Sequence, residues 1–165
     1  MPPSFRIGHG FDAHRFRRGR KLVLGGVEIP HSAGLAGHSD ADVLLHALIN
    51  AILGALGKGD IGLHFPDSDA RYKNISSATL LENVLKMMRR EKFSIVNGDV
   101  TVIAEKPRLA PHYEKIRRRL AELLQIPAGS INIKAATMEG MGAIGEGKGM
   151  AAAAVVLIEK RGKRL

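Results

Sequence analysis

The sequence predicts an α+β fold, a mixed β-sheet with helices on one face, on three observations. Extended segments open and close the chain, amphipathic helical segments lie between them, and the final segment, Met150 to Ile158, is apolar at nearly every position, as in a strand buried on both faces. The uncovered face of such a sheet would be a natural oligomer surface. At 165 residues, 45% of them hydrophobic, the chain fits a single domain, 1–165, whose core needs no covalent staples. The absence of Cys excludes disulfides, thiolate metal sites and a cysteine nucleophile, and suits a reducing compartment.

The elements follow in order. Phe5 to Phe11 alternates large with small or polar residues and reads as a strand; if the extended backbone continues, Asp12 and His14 share one side of it. Lys21 to Ile29, with Gly25-Gly26 at its middle, reads as a short hairpin. Ser39 to Gly57 is a helix: Ser39 can cap it, Asp40 and Asp42 suit its positive end, Leu45, Leu48, Ile49, Ile52 and Leu56 form an apolar stripe, and Gly57 and Gly59 end it. Gly59 to Lys73 is loop with a short turn of helix, and loops of that length are often functional. Ser76 to Lys92 is a second helix, capped by Ser76 or Ser77; Phe93 to Ala104 is a strand. Pro111 to Leu124 is a third helix with Pro111 in its first turn, and Ile131 to Ala136 and Met150 to Glu159 are strands joined by a glycine-rich connection.

Twenty-five Lys+Arg against 16 Asp+Glu leave a formal charge of +9. The basic residues cluster at Arg15 to Lys21, Arg89 to Lys92, Lys115 to Arg119 and the tail Lys160 to Arg164, while Asp40, Asp42, Asp60, Asp67 and Asp69 crowd a central stretch. That asymmetry suits an anionic partner beside an acidic, metal-friendly site, or solvated helix faces and a frayed tail. With no Trp and 4% aromatics, stacking platforms for nucleic acid are poorly supplied. No apolar run approaches the ~20 residues that span a bilayer, and the N-terminus lacks the apolar core of a secretory signal. A soluble, cytoplasmic protein is expected.

Asp12-Ala13-His14 together with His46 offers one carboxylate and two imidazoles, a ligand set suited to Zn²⁺ with a position left for substrate. The competing reading makes His46 a core histidine bonded to a backbone carbonyl. His38-Ser39-Asp40 stands where free N–H groups at a helix start favour phosphate, or where Ser39 is an ordinary cap. Asp42, His46 and Asn50 recur at helical spacing, so Asp42 is either support for the ligand or a capping charge. Asp60-Ile61-Gly62 and Phe65 to Asp69 suit a polyol, or are simply turns. Gly140 to Gly145 spells G-x-G-x-x-G, but a strand-like segment follows where dinucleotide binding demands a helix, and that reading is rejected.

Taken together, Arg6 to His14, His38-Ser39-Asp40, Asp60-Ile61-Gly62, Phe65-Pro66-Asp67, Asp99 to Pro107 and Asn132 to Glu139 resemble the 2-C-methyl-D-erythritol 2,4-cyclodiphosphate synthase family over nearly the whole chain. The resemblance implies a lyase of non-mevalonate isoprenoid synthesis in which the 2-phosphate of a CDP-linked methylerythritol attacks its own β-phosphate and expels CMP. It implies Asp12, His14 and His46 as zinc ligands and Glu139 as a ligand of a second divalent cation, Mg²⁺ or Mn²⁺. His38 and Thr137 correspond to residues that position or stabilise the transferring phosphoryl group, and Ser39 lies at the diphosphate. Asp60, Ile61, Gly62, Phe65, Pro66, Asp67, Ser68 and Asp69 match segments around the methylerythritol phosphate. Ala104, Glu105, Lys106, Pro107, Arg108, Leu109 and Ala110 match the cytidine side, as do Ala135, Ala136 and Thr137, with Met138 and Glu139 beside them. Asp12 and His14 belong to the substrate site as well as to the metal.

The resemblance further implies a homotrimer, sheet faces packing around its axis and active sites shared between neighbours, acting on a small molecule and neither nucleic acid nor membrane. A basic nucleic-acid-binding module and a zinc-dependent phosphohydrolase are the competing functions. Asn50, Ala136 and Ala143 depart from frequent family residues, and Glu146 and Lys148 exchange a common Arg and Glu. That exchange is expected to keep an intersubunit contact while weakening isoprenoid diphosphate binding at the trimer centre.

Overall fold

A computed structural model describes residues 4–161; residues 1–3 and 162–165, and with them Lys163 and Arg164 of the basic tail, lie outside the described residues. Five strands form one sheet in the order β4-β1-β7-β5-β6: β1 (Phe5–Arg18), β4 (Ala33–Leu35), β5 (Phe93–Ile103), β6 (Ile131–Ala136) and β7 (Gly149–Lys160). β2 (Leu22–Leu24) and β3 (Val27–Ile29) make the expected hairpin as a separate two-stranded sheet. β7 runs antiparallel to both β1 and β5, whereas β6 is parallel to β5, so the sheet is mixed. The helices are α1 (Val43–Leu56), α2 (Ile61–His64), α3 (Ser77–Arg90), α4 (Tyr113–Leu124) and α5 (Gly142–Gly145). None is long and apolar enough among the described residues to cross a membrane.

The even-numbered residues of β1 face α1, and this side is built for close approach. A Cβ on Gly8 would stand 1.8 Å from the Ala51 carbonyl oxygen, and one on Gly10 would stand 2.0 Å from that of Ala47. With hydrogens alone at these two positions, the helix backbone rests directly on the strand backbone. α3 covers α1 from outside, so α1 is buried nearly all round, beyond the single stripe expected. α4 connects the parallel pair β5 and β6, burying Ile116, Leu120, Ala121 and Leu124 and laying its Arg and Lys along the solvent side. There Glu114 pairs with Arg117 and Arg118, and Glu122 with Arg119, so that basic cluster is a solvated helix face.

Several boundaries differ from expectation for local reasons. The first helix starts at Val43, because Ala41 takes a left-handed φ of 57° and turns the chain out of helical register. Asp42, not Ser39, is the cap, its side chain accepting the Leu45 N–H at 3.0 Å. The N–H groups expected to be free for phosphate are already taken: Ala41 donates to Ser39 Oγ, Asp42 to Asp40 Oδ1 and Leu45 to Asp42 Oδ1. The 59–73 stretch holds α2 and a 3₁₀ turn at Ala70–Tyr72. Pro111 lies in a separate 3₁₀ turn, Ala110–His112, ahead of α4. Strand β4, absent from the expected elements, carries too few residues to show a pattern.

β7 buries Met150, Ala152, Ala154, Val156 and Ile158 against the helices, but among the described residues its other face is left partly open from Ala153 onward. On that open side stand Phe5, Ile7 and Phe11 of β1, 52%, 72% and 53% exposed, beside Val155. The expectation of burial on both faces therefore holds for one face of the isolated chain.

Candidate active site

Alternation along β1 places Asp12 and His14 on the helix side, and α1 brings His46 against them. Asp12 Oδ2 is 2.8 Å from both His14 Nε2 and His46 Nδ1, and those two nitrogens are 3.1 Å apart. Three donors around one tetrahedral Zn²⁺, with bonds of about 2.0–2.2 Å, stand about 3.3 Å from one another. These side chains need open by only a few tenths of an ångström to hold an ion, and the donor set is one that Zn²⁺ accepts. The outer nitrogens are bonded too: His14 Nδ1 donates to the Ala36 carbonyl at 2.6 Å, and His46 Nε2 lies 2.9 Å from Ser77 Oγ and 3.2 Å from Ser39 Oγ. His46 is therefore not a core histidine bonded to a backbone carbonyl; it is tied to Asp12, His14 and two hydroxyls.

Burial alone would push the Asp12 carboxyl up, but the two imidazoles outweigh it and hold the group well below the usual carboxylate range. Burial likewise opposes charge on His14, yet the Asp12 carboxylate, helped by the Ala36 carbonyl and Asp67, raises its imidazole above the ordinary value.

A cavity of about 370 Å³ opens over the triad, lined also by His38, Ser39, Ile61, Gly62, Phe65, Pro66 and Asp67. Tyr72, Ile75 and Leu80 complete it; each reads in the sequence as an ordinary packing residue and carries no signal of a site. His38 Nε2 is buried without a hydrogen-bond partner, as expected of a group that awaits a ligand. The Arg20 guanidinium grips the loop on either side of it, donating to the carbonyls of Gly37 at 2.9 Å and Ser39 at 2.5 Å.

Not every expected residue reaches this cavity. Asp60 caps α2 through the Leu63 N–H. Asp69 caps the 3₁₀ turn and pairs with Arg71, which holds its carboxyl below the usual range; neither Asp69 nor Ser68 lines it. Asp42 proves to be a capping charge: its carboxylate accepts the Gly25, Gly26 and Leu45 N–H groups and docks the hairpin turn on α1. Asn50 ties α2 to β1, accepting from Ile61 N–H and donating to the Phe11 carbonyl.

A second group gathers at the carboxyl ends of the parallel strands β5 and β6, where open sheets commonly place ligands. Ala104 N–H donates to the Ala136 carbonyl, Glu105 Oε1 accepts the Met138 N–H at 2.7 Å, and Thr137 Oγ1 donates to Glu139 Oε1 at 3.0 Å. Glu139 has a φ of 51°, an uncommon conformation for a side chain-bearing residue. Leu109 is buried, so its backbone rather than its side chain would face a ligand. Lys106, Pro107, Arg108, Ala110 and Ala135 flank these residues in sequence. Among the described residues none of this group lines the triad cavity. Glu105 and Lys106 instead border a larger space of about 1270 Å³, which also touches His14 and the 143–150 segment. There Glu146 and Lys148 pair within one chain, so their contact needs no neighbour.

Residues 5–159 match the YgbB family. The chain belongs to that family. Among YgbB-like proteins, the 2-C-methyl-D-erythritol 2,4-cyclodiphosphate synthase of Syntrophomonas wolfei is 54% identical over 155 residues, 94% of this chain and 99% of that protein. The synthase of Geobacillus kaustophilus is 54% identical over 156 residues, again 94% and 99%. Solved structures agree: a CDP-bound form of 2C-methyl-D-erythritol-2,4-cyclodiphosphate synthase superposes with a TM-score of 0.86 at 36% identity, covering 93% of this chain and all of that one. The bifunctional IspDF from Campylobacter jejuni gives 0.92 at 40% identity, covering 95% of this chain but 42% of that longer one.

Proposed function

We propose that this chain is a 2-C-methyl-D-erythritol 2,4-cyclodiphosphate synthase: it converts 4-diphosphocytidyl-2-C-methyl-D-erythritol 2-phosphate to the cyclic diphosphate and CMP. The observation that carries the reading is the meeting of Asp12, His14 and His46 beside the unpartnered His38 nitrogen, in a chain whose close relatives bear that name. An oxygen of the 2-phosphate bonds to the β-phosphorus, the bond from that phosphorus to the bridging oxygen breaks, and CMP departs with the electron pair. Phosphoryl transfer of this kind is chiefly positioning and charge stabilisation, so no protein nucleophile is required. Zn²⁺ on the triad, and Mg²⁺ or Mn²⁺ with Glu139, would neutralise charge on the diphosphate.

The chain's own residues orient the substrate. His38 and Ser39 approach the phosphates from the loop before α1, and Thr137 serves the same centre from the cytidine side. Ile61, Gly62, Phe65, Pro66 and Asp67 enclose the methylerythritol phosphate, with Asp60, Ser68 and Asp69 shaping that loop. Ala104, Glu105, Lys106, Pro107, Arg108, Leu109, Ala110, Ala135, Ala136 and Met138 hold cytidine largely through backbone groups. Among the described residues none of the nucleotide side lines the triad cavity within one chain, which favours a homotrimer that unites the triad of one subunit with the nucleotide side of the next. The open apolar face around Ile7 and Phe11 is the surface available to build it. A single catalytic domain in the cytoplasm is the corresponding assignment.

Incubation with the substrate tests the reading: CMP and a cyclic diphosphate are expected, whereas CMP with a linear diphosphate would make the protein a hydrolase. His46→Ala is expected to lower zinc affinity by more than about 100-fold, beyond the usual loss of an outer partner, and to abolish turnover in a folded protein. Global unfolding of that variant would return His46 to a purely structural role.

A further inference from the structure

We propose that Ser77 and Asp40 form an outer relay that orients His46 toward the metal, with Ser77 rather than Ser39 setting the affinity of the site for Zn²⁺. The proposal rests on the reading of the triad as a zinc site. His46 Nδ1 faces Asp12 and His14, so a metal there requires its lone pair on Nδ1 and its proton on Nε2. That N–H must then donate, and two hydroxyls are in reach, Ser77 Oγ at 2.9 Å and Ser39 Oγ at 3.2 Å. They are not equivalent. Ser39 Oγ already accepts the Ala41 N–H at 3.1 Å and stands at the cavity wall.

Ser77 is the first residue of α3 and fully buried. A buried hydroxyl costs free energy unless both its donor and its acceptor sides are used, and here both are. Ser77 Oγ donates to Asp40 Oδ1 in a very short contact, which turns its lone pairs toward the imidazole. Asp40 cannot drift, because Oδ2 accepts the Ser77 N–H at 3.1 Å, Oδ1 accepts the Asp42 N–H at 3.3 Å, and its own N–H donates to the Ile75 carbonyl at 3.1 Å. Protons therefore point one way, from imidazole N–H to hydroxyl to carboxylate, and the terminal negative charge makes Nδ1 a better donor to a cation. His14 has its counterpart in the Ala36 carbonyl, a backbone group that substitution cannot remove. The His46 arm alone runs through replaceable side chains.

Competition between the protein and a chelator for Zn²⁺ tests this. Ser77→Ala is expected to weaken zinc binding by about 10–100-fold in a protein that still melts cooperatively without metal, at a somewhat lower temperature because buried hydrogen bonds are lost. Asp40→Asn, which keeps an acceptor oxygen without the charge, is expected to fall between the two, and Ser39→Ala to change zinc affinity by less than about 3-fold, a small effect beside the outer-partner range. Wild-type affinity in both Ser77→Ala and Asp40→Asn, or an equal loss in Ser39→Ala, would overturn the relay. Failure of the wild-type protein itself to take zinc would overturn the metal reading beneath it.

Discussion

Asp12 and Asp42 are both withdrawn from bulk water, yet their neighbours drive their carboxyls in opposite directions. Two imidazoles depress Asp12; Asp42 has no cation beside it, and burial pushes it up to about 6 despite three N–H bonds that favour the charged form. A folded-state value above the unfolded one means that Asp42 contributes most stability at pH values below its ordinary 3.8, and that this contribution is lost as pH rises through about 6. Chemical denaturation of wild type and Asp42→Asn across that window checks it: wild type is expected to lose ground to the variant as pH rises, and a pH-independent difference would show that the carboxyl is not raised. Much of the site was legible at this scale. Asp12 and His14 announce themselves through the period of two in a strand, and His46 through its place among leucines. Ser77 and Asp40 did not, because an ordinary Ser near a helix start and an Asp among several give no sign that they meet.

At the scale of elements, the contact of α1 with β1 depends on the two glycines. Gly10→Ala would drive a methyl into the Ala47 carbonyl, backbone that cannot rotate aside. A loss of about 3 kcal/mol or more is expected in a denaturation experiment, with zinc affinity falling as His46 is pushed from Asp12; a loss below ~1 kcal/mol would mean that α1 shifts freely. The sequence showed helices and strands where hydrophobic period and caps were strong, as in α3 with Ser76 at its start and β6 with its bounds as read. It did not show β4, which has no room for periodicity, or the left-handed Ala41 that delays α1. Neither feature has a local signature: β4 exists through its pairing with β1, a partner distant in sequence.

For the molecule as a whole, the open sheet face is the feature the isolated chain leaves unsatisfied. Ile7 is 72% exposed, so Ile7→Asp should lower the stability of a lone chain by no more than about 1 kcal/mol, the span of strand propensity. In a trimer built on that face the same substitution buries a charge, and the expected outcome is dissociation with loss of turnover, followed by sedimentation and product formation. A variant that stays trimeric, or that is monomeric and fully active, would place the interface elsewhere. The sequence told of this face only indirectly: an uninterrupted apolar β7 shows that both its sides are apolar, not which of them a neighbour covers.

Strand β1 carries two patterns in one run of residues, the Asp12 and His14 donors on even positions and the exposed apolar Phe5, Ile7 and Phe11 on odd ones. Because facing alternates at every step, inserting or deleting one codon anywhere between Ile7 and Asp12 would exchange the two sets, turning His14 outward and an oily side chain inward. Point changes along this stretch can be absorbed one at a time, but its length cannot drift without dismantling both jobs together.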